Sequence, residues 1–245
     1  MIHYHGTPIG GEKGSNKAMF YNGRHLCVSY RHPDDLDIIC EVASSYFVDN
    51  GAFSFWRGGE KPDWDAYMEW LGALPRHPDF YIVPDTIDGT EEDNRHLLFR
   101  YGRAHGACPV YHMHESLEYL DMLVRQFPLV ALGSSGKWST PGTPDWWNRM
   151  AEMMDVICDT NGKPRTRIHG LRMLNPEIFS RIPFHSCDST NAARNNNQKD
   201  RFGMYIPLTA AGRASVIADR IEAWNSAATW KRIPIQDDLF MSGGE

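Results

Sequence analysis

The chain has 245 residues, 42% of them hydrophobic and 23% charged, with a formal net charge of −6 at pH 7. These values describe a globular protein long enough for one large α/β barrel or two small domains, and the acidic balance argues against a general electrostatic nucleic-acid binder while leaving room for a local basic path. No apolar run approaches the length of a membrane span, and the opening MIHYHGTPIGG lacks the charged-then-apolar order of a secretion signal.

Strand-like and helix-like runs alternate along the chain. His25–Tyr30 is the first clear strand, followed by a short helical piece near Asp34–Ser44. Tyr46–Phe53 reads as a strand, and Asp63–Leu74 as a helix capped by Asp63. Phe80–Ile87 is a strand, then Thr90–His105 a charged helix; Cys108–Glu115 is a strand, then Ser116–Gln126 a helix capped by Ser116. Leu129–Ser135 is a strand, and Asp145–Cys158 a helix whose Trp and Met residues suit core packing. Arg165–Met173 is a strand, Asn175–Arg181 a short helix with Pro176 in its first turn, and Phe184–Asp188 a strand. Phe202–Pro207 is the candidate last strand, before an amphipathic helix over Thr209–Ala228. About eight βα units in one chain predict a single (β/α)8 TIM barrel over residues 1–235, with 236–245 as a frayed tail. A doubly wound open sheet is the alternative, but no GxGxxG follows the first strand.

The informative residues lie at strand ends, where a barrel builds its site. Asp49 and Asp85 end two strands, His112 and His114 a third, and Gly133 a fourth; His169 lies within another, and Asp188 ends the strand of FHSCDSTNAARNNNQK. Singly, each has an ordinary reading: turn, helix cap or satisfied core histidine. Together they fit two chemistries. In glycosidic exchange one carboxylate attacks an anomeric carbon, a second handles protons, and a third accepts hydrogen bonds from a purine edge. In metal-assisted hydrolysis His112, His114, His169 and Asp188 would hold Zn²⁺. A non-catalytic base binder on the same barrel is a third possibility. The cysteines (Cys27, Cys40, Cys108, Cys158 and Cys187) are scattered, with no CxxC pair, which fits a reducing cytoplasm and offers no thiolate zinc site.

The order of motifs resembles the tRNA-guanine transglycosylase superfamily. VDNGAF (Val48–Phe53) looks like its DSGGF motif, VPDTIDG (Val83–Gly89) falls where its base-recognising Asp lies, and LVALGSSG (Leu129–Gly136) looks like its LAVGE strand. RIHGLRMLNPEIF (Arg167–Phe179) looks like YLMGVGTPEDI, and CDSTNAARNN (Cys187–Asn196) like the nucleophile motif DCVMPTRNARNG. The resemblance covers about Tyr46 to Asn197. The family's CxCxxC…H zinc site after the nucleophile is missing here, since no Cys or His follows Cys187, and the nucleophile motif is shortened between Asp188 and Asn191. With HGTPIGG (His5–Gly11), HMHESL (His112–Leu117) and HGLRMLNP, the chain is more similar to the compact phage and bacterial DNA relatives.

That resemblance implies replacement of guanine in DNA by a 7-deazaguanine base such as preQ0, with tRNA as the second choice of polynucleotide. Asp188 is then the nucleophile and Asp49 the proton shuttle. Asp85 holds the base edge, and the backbone of Val130, Ala131, Leu132 and Gly133 closes around it. From the residues themselves, His112 and His114 could line a sugar or phosphate site with His169 as a further substrate-binding candidate, Phe53 could stack on a base or pack in the core, and Arg194 with Lys199 and Arg201 could hold phosphates or form a solvated basic loop. No cofactor, metal or membrane is implied, the location is cytoplasmic, and the oligomeric state stays open.

Overall fold

The computed structural model describes residues 1–10, 12 and 14–232. Among these residues nine parallel strand segments form one sheet: β1 (Ile2–Gly6), β2 (His25–Ser29), β3 (Ser45–Asp49), β4 (Tyr81–Ile82), β5 (Ala107–Cys108), β6 (Val110–His112), β7 (Leu129–Gly133), β8 (Arg167–Gly170) and β9 (Ser186–Ser189). Their spatial order is β5-β4-β3-β2-β1-β9-β8-β7-β6. The two segments at the ends of that order, β5 and β6, are consecutive in the chain and separated only by Pro109. A proline has no N–H with which to continue a ladder, so the run divides there. β5 pairs with β4 and β6 with β7, while the Pro109 carbonyl still accepts from the Ala131 N–H at 2.9 Å. The sheet thereby comes round on itself as a single (β/α)8-type barrel, the architecture expected from the sequence.

Among the described residues ten α-helices connect or follow the strands: α1 (Ser15–Tyr21), α2 (Leu36–Val42), α3 (Ala52–Gly58), α4 (Trp64–Gly72), α5 (Glu91–Tyr101), α6 (Leu117–Gln126), α7 (Pro144–Ile157), α8 (Pro176–Phe179), α9 (Asn191–Arg194) and α10 (Ala210–Glu222). Their starts follow the local chemistry read from the sequence. Asp63, Thr90 and Ser116 cap α4, α5 and α6 through side-chain oxygens, and Pro176 opens α8. The α7 face carrying Trp146, Met150, Met153, Met154 and Ile157 is buried against the barrel. No helix among the described residues is long and apolar enough to cross a membrane, and all five cysteines are free.

One expected strand is absent, and one strand is present that the sequence does not announce. Phe202–Pro207 is not a strand: a 3₁₀ turn covers Lys199–Phe202, and Met204 and Tyr205 behind it are 88% and 87% exposed. The eighth run is β1, which lies between β2 and β9 and so leaves no edge for another strand. Its alternation explains why it reads poorly as a strand. Tyr4 faces the barrel interior, whereas the buried His3 and His5 reach helix-side partners, the Trp224 carbonyl at 2.9 Å and Glu222 Oε1 at 2.8 Å. The strands are also shorter than expected at their C-terminal ends. β3 stops at Asp49, Gly51 turns the chain at φ 78°, and Phe53 lies on α3; β6 stops at His112, so His114 lies in the following turn. The tail expected from residue 236 lies outside the described residues.

The barrel interior is a packed core. Tyr4, Cys27, Phe47, Phe80, Ile82, Cys108, Val110, Leu129 and Ala131 fill it, with Phe47 and Phe80 stacked at 4.6 Å. Burying a ring of this size contributes about 2–3 kcal/mol. The filling seals the lower barrel, so the polar residues of alternate positions gather at the C-terminal mouth.

Candidate active site

Asp188 stands on β9, whose alternation sends Cys187 into the outer apolar layer and turns Ser186 and Asp188 inward. The loop after β8 wraps around it. The Arg172 N–H donates to Asp188 Oδ1 at 2.8 Å, and the Leu174 N–H donates to the Asp188 carbonyl at 3.0 Å. His169 Nε2 approaches the same Oδ1 at 3.3 Å without hydrogen-bond alignment. Its Nδ1 meets Ser186 Oγ at 2.8 Å, and its ring lies edge-on to Phe47 and Phe80. Oδ1 is thus pinned, while Oδ2 takes no hydrogen bond among the described residues. Bare backbone permits this crowding. A Cβ on Gly170 would sit 2.9 Å from Cys187 Sγ and 3.0 Å from Phe184, and one on Gly6 would sit 2.7 Å from Thr190 Cγ2.

Arg172 itself is held at φ 59°, and no other non-glycine residue among those described has a positive φ. The left-handed region costs an ordinary L-residue about 1–2 kcal/mol. The turn that aims its N–H at the nucleophile candidate is therefore strained.

Asp49 ends β3 facing the same mouth. Burial raises its carboxyl from an ordinary 3.8 to about 7, helped by the negative charges of Asp188 and Asp85 and opposed by the Gly51 N–H, which donates at 3.3 Å. The next residue, Asn50, is 1% exposed and ties two strand ends together. Its amide donates to the Val83 carbonyl at 2.9 Å and to Asp85 Oδ1 at 2.6 Å, and its own carbonyl accepts from the Ala52 N–H at 2.8 Å.

Asp85 also accepts from His112 Nε2 at 2.8 Å, so each of its oxygens carries one protein partner and retains one lone pair. Burial depresses the His112 imidazole, but the hydrogen bond and charge of Asp85, with the charge of Glu115, raise it overall. Glu115 accepts from the His112 N–H at 2.7 Å and from Asn94 at 2.8 Å. Beneath this turn lies the buried guanidinium of Arg149 on α7, which donates to the Met113 and Glu115 carbonyls and the Tyr111 hydroxyl at 2.9, 2.6 and 2.8 Å. The His114 ring stacks on His112 at 5.6 Å and meets Ser135 Oγ at 2.8 Å and the Gly89 carbonyl at 3.2 Å.

The structure therefore brings Asp85 and Asp188 each within electrostatic reach of Asp49, with His112 beside Asp85 and His169 beside Asp188. It does not gather the four side chains of the hydrolase alternative. Among the described residues, no group of three or more His, Cys, Asp and Glu is arranged to hold a metal ion. On β7 the side chains of Val130 and Leu132 point into the outer layer. The ladder already uses the Ala131 N–H and the Leu132 and Gly133 carbonyls. Arg194 is exposed on α9, and Phe53 is half-buried beneath Arg172. Asn50, Glu115, Arg149 and Arg172 are not among the residues that strand-end position marks in the sequence. Asn50, directly after Asp49 in the DNG turn, was the one within reach of a local signal.

No protein-family model matches the chain, and neither a curated protein nor a solved structure does. The class defined here by fold and site is a barrel with a three-carboxylate mouth.

Proposed function

We propose that this chain is a base-exchange glycosyltransferase that replaces guanine in DNA with a 7-deazaguanine. The carrying observation is a carboxyl held near pH 7, Asp49, between two further carboxylates, one of which is pinned by a single oxygen. Pairs of carboxyls with contrasting surroundings divide acid–base and nucleophilic roles.

In this reading Asp188 Oδ2 attacks C1′ of a nucleotide turned out of its stack. The C1′–N9 bond breaks, and the guanine leaves with the proton of Asp49. A glycosyl ester then links C1′ to Asp188. The incoming base gives its N9 proton back to Asp49 as N9 attacks C1′, the ester C–O bond breaks, and both carboxyls return to their starting states. Asp85 turns its remaining lone pairs to the donor edge of the purine.

The test is nucleoside mass spectrometry of a guanine-containing oligodeoxynucleotide after incubation with preQ0 and protein in a chelator, with a parallel tRNA reaction. The 7-deazaguanine nucleoside should appear in DNA. Its appearance only in tRNA would change the polynucleotide, and its absence from both would overturn the proposal.

A further inference from the structure

Asp85 and Asp188 are buried within the mouth, and two guanidinium groups meet at an aromatic ring beside it, with Asp88 held one ring further out by the Trp56 N–H at 2.9 Å. Phe53, at the start of α3, receives two guanidinium groups: Arg172 with Cζ at 4.2 Å from the ring centroid, and Arg57 at 6.0 Å. Neither makes an ion pair or a hydrogen bond among the described residues. Elsewhere on this acidic chain arginines commonly find carboxylates, as Arg24, Arg31, Arg95, Arg100 and Arg165 do.

The backbone at Arg172 sharpens the point. Its left-handed conformation and its N–H to Asp188 would both be supplied, without strain, by glycine. An arginine at this position therefore has to contribute through its side chain. Stacking on an aromatic ring orients a guanidinium while leaving its edge N–H groups available. An anion with several acceptor oxygens is the ligand that suits guanidinium forks gathered at one ring.

We propose that Arg172 and Arg57, converging on Phe53, bind a backbone phosphodiester beside the reacting nucleotide, and that the strained turn at Arg172 links this contact to the nucleophile it orients. The inference rests on the base-exchange reading for the identity of the polynucleotide. On a chain of net charge −6, a local cation pair at the rim gives a polyanion a place to bind without general attraction.

The test is fluorescence anisotropy of a labelled, guanine-containing oligodeoxynucleotide over roughly 50–300 mM salt. It uses Asp188→Asn protein, so that no chemistry follows binding. Adding Arg172→Gly keeps the N–H and relieves the backbone. It should weaken binding about tenfold, lower the log–log salt slope by about one, and leave the melting temperature equal or higher. Arg57→Gln should also weaken binding and lower the slope, and the double variant should lower it by no more than about one in all, because the two guanidiniums share one phosphate. A folded Arg172→Gly variant with the parent's affinity and slope would overturn the phosphate site, as would a parent that does not bind. If the slope depends on Arg172 but the wild-type protein exchanges no base, the phosphate site stands and the exchange reading fails.

Discussion

Replacing Asp49 by asparagine should stabilise the protein at alkaline pH and leave it nearly unchanged in acid. A carboxyl held at about 7 in the fold and 3.8 when unfolded binds a proton more tightly in the native state. Its favourable contribution is therefore fully present below about pH 3.8 and is lost as pH rises to about 7. The difference corresponds to about 4 kcal/mol once both states are ionised. Asparagine is the nearest neutral isostere and can still accept from the Gly51 N–H. Urea unfolding of both proteins between about pH 4 and 8.5 should show the variant gaining about 2–4 kcal/mol over wild type across that range. Asp188→Asn, which removes the stronger of the two neighbouring charges acting on Asp49, should shrink the gain. A difference that stays flat with pH would refute the placement of Asp49 beside the other carboxylates.

Three further outcomes follow from the same geometry. Base exchange should fall as pH rises through about 7, because the leaving guanine needs the Asp49 proton; a flat profile from pH 6 to 9 would remove Asp49 from that role. Asp85→Ala leaves the His112 and Asn50 donors buried without their acceptor. It should cost about 2–4 kcal/mol in urea unfolding and weaken binding of the free base more than that of the polynucleotide. Equal weakening of the two would count against base-edge recognition. Gly170→Ala drives a Cβ into Cys187, Met173 and Phe184 and should cost about 1–3 kcal/mol; an unchanged melting temperature would mean that the turn beside Asp188 is looser than described.

The barrel was legible because most strands carry their own apolar signal and most helices their own caps. The placing of Asp49 and Asp188 at strand ends followed from the same periodicity, whereas Asp85, expected within a strand over Phe80–Ile87, lies in the loop three residues past β4, which stops at Ile82. What escaped depends on distant partners. β1 hides two histidines that become acceptable in a buried strand only when the end of α10 and the turn after it, more than two hundred residues later, supply Glu222 and the Trp224 carbonyl. The FGMYIP stretch from Phe202 has the composition of a strand, but every ladder position near it is taken. His112 and His114 were expected on one strand. They stack through a turn instead, because Glu115 and Arg149 cap the strand at His112. The φ of Arg172 had no signal at all, since nothing in RIHGLRM marks a left-handed arginine.

The central claim is that Asp188 becomes covalently joined to a nucleotide. Its most direct measurement is denaturing electrophoresis of the protein mixed with a labelled guanine-containing oligodeoxynucleotide, followed by mass spectrometry of the peptide spanning Phe184–Lys199. The account predicts a denaturant-resistant adduct on Asp188 that asparagine at this position abolishes and that free 7-deazaguanine base discharges. Base exchange without any adduct, or an adduct that persists in the Asp188→Asn variant, would contradict it.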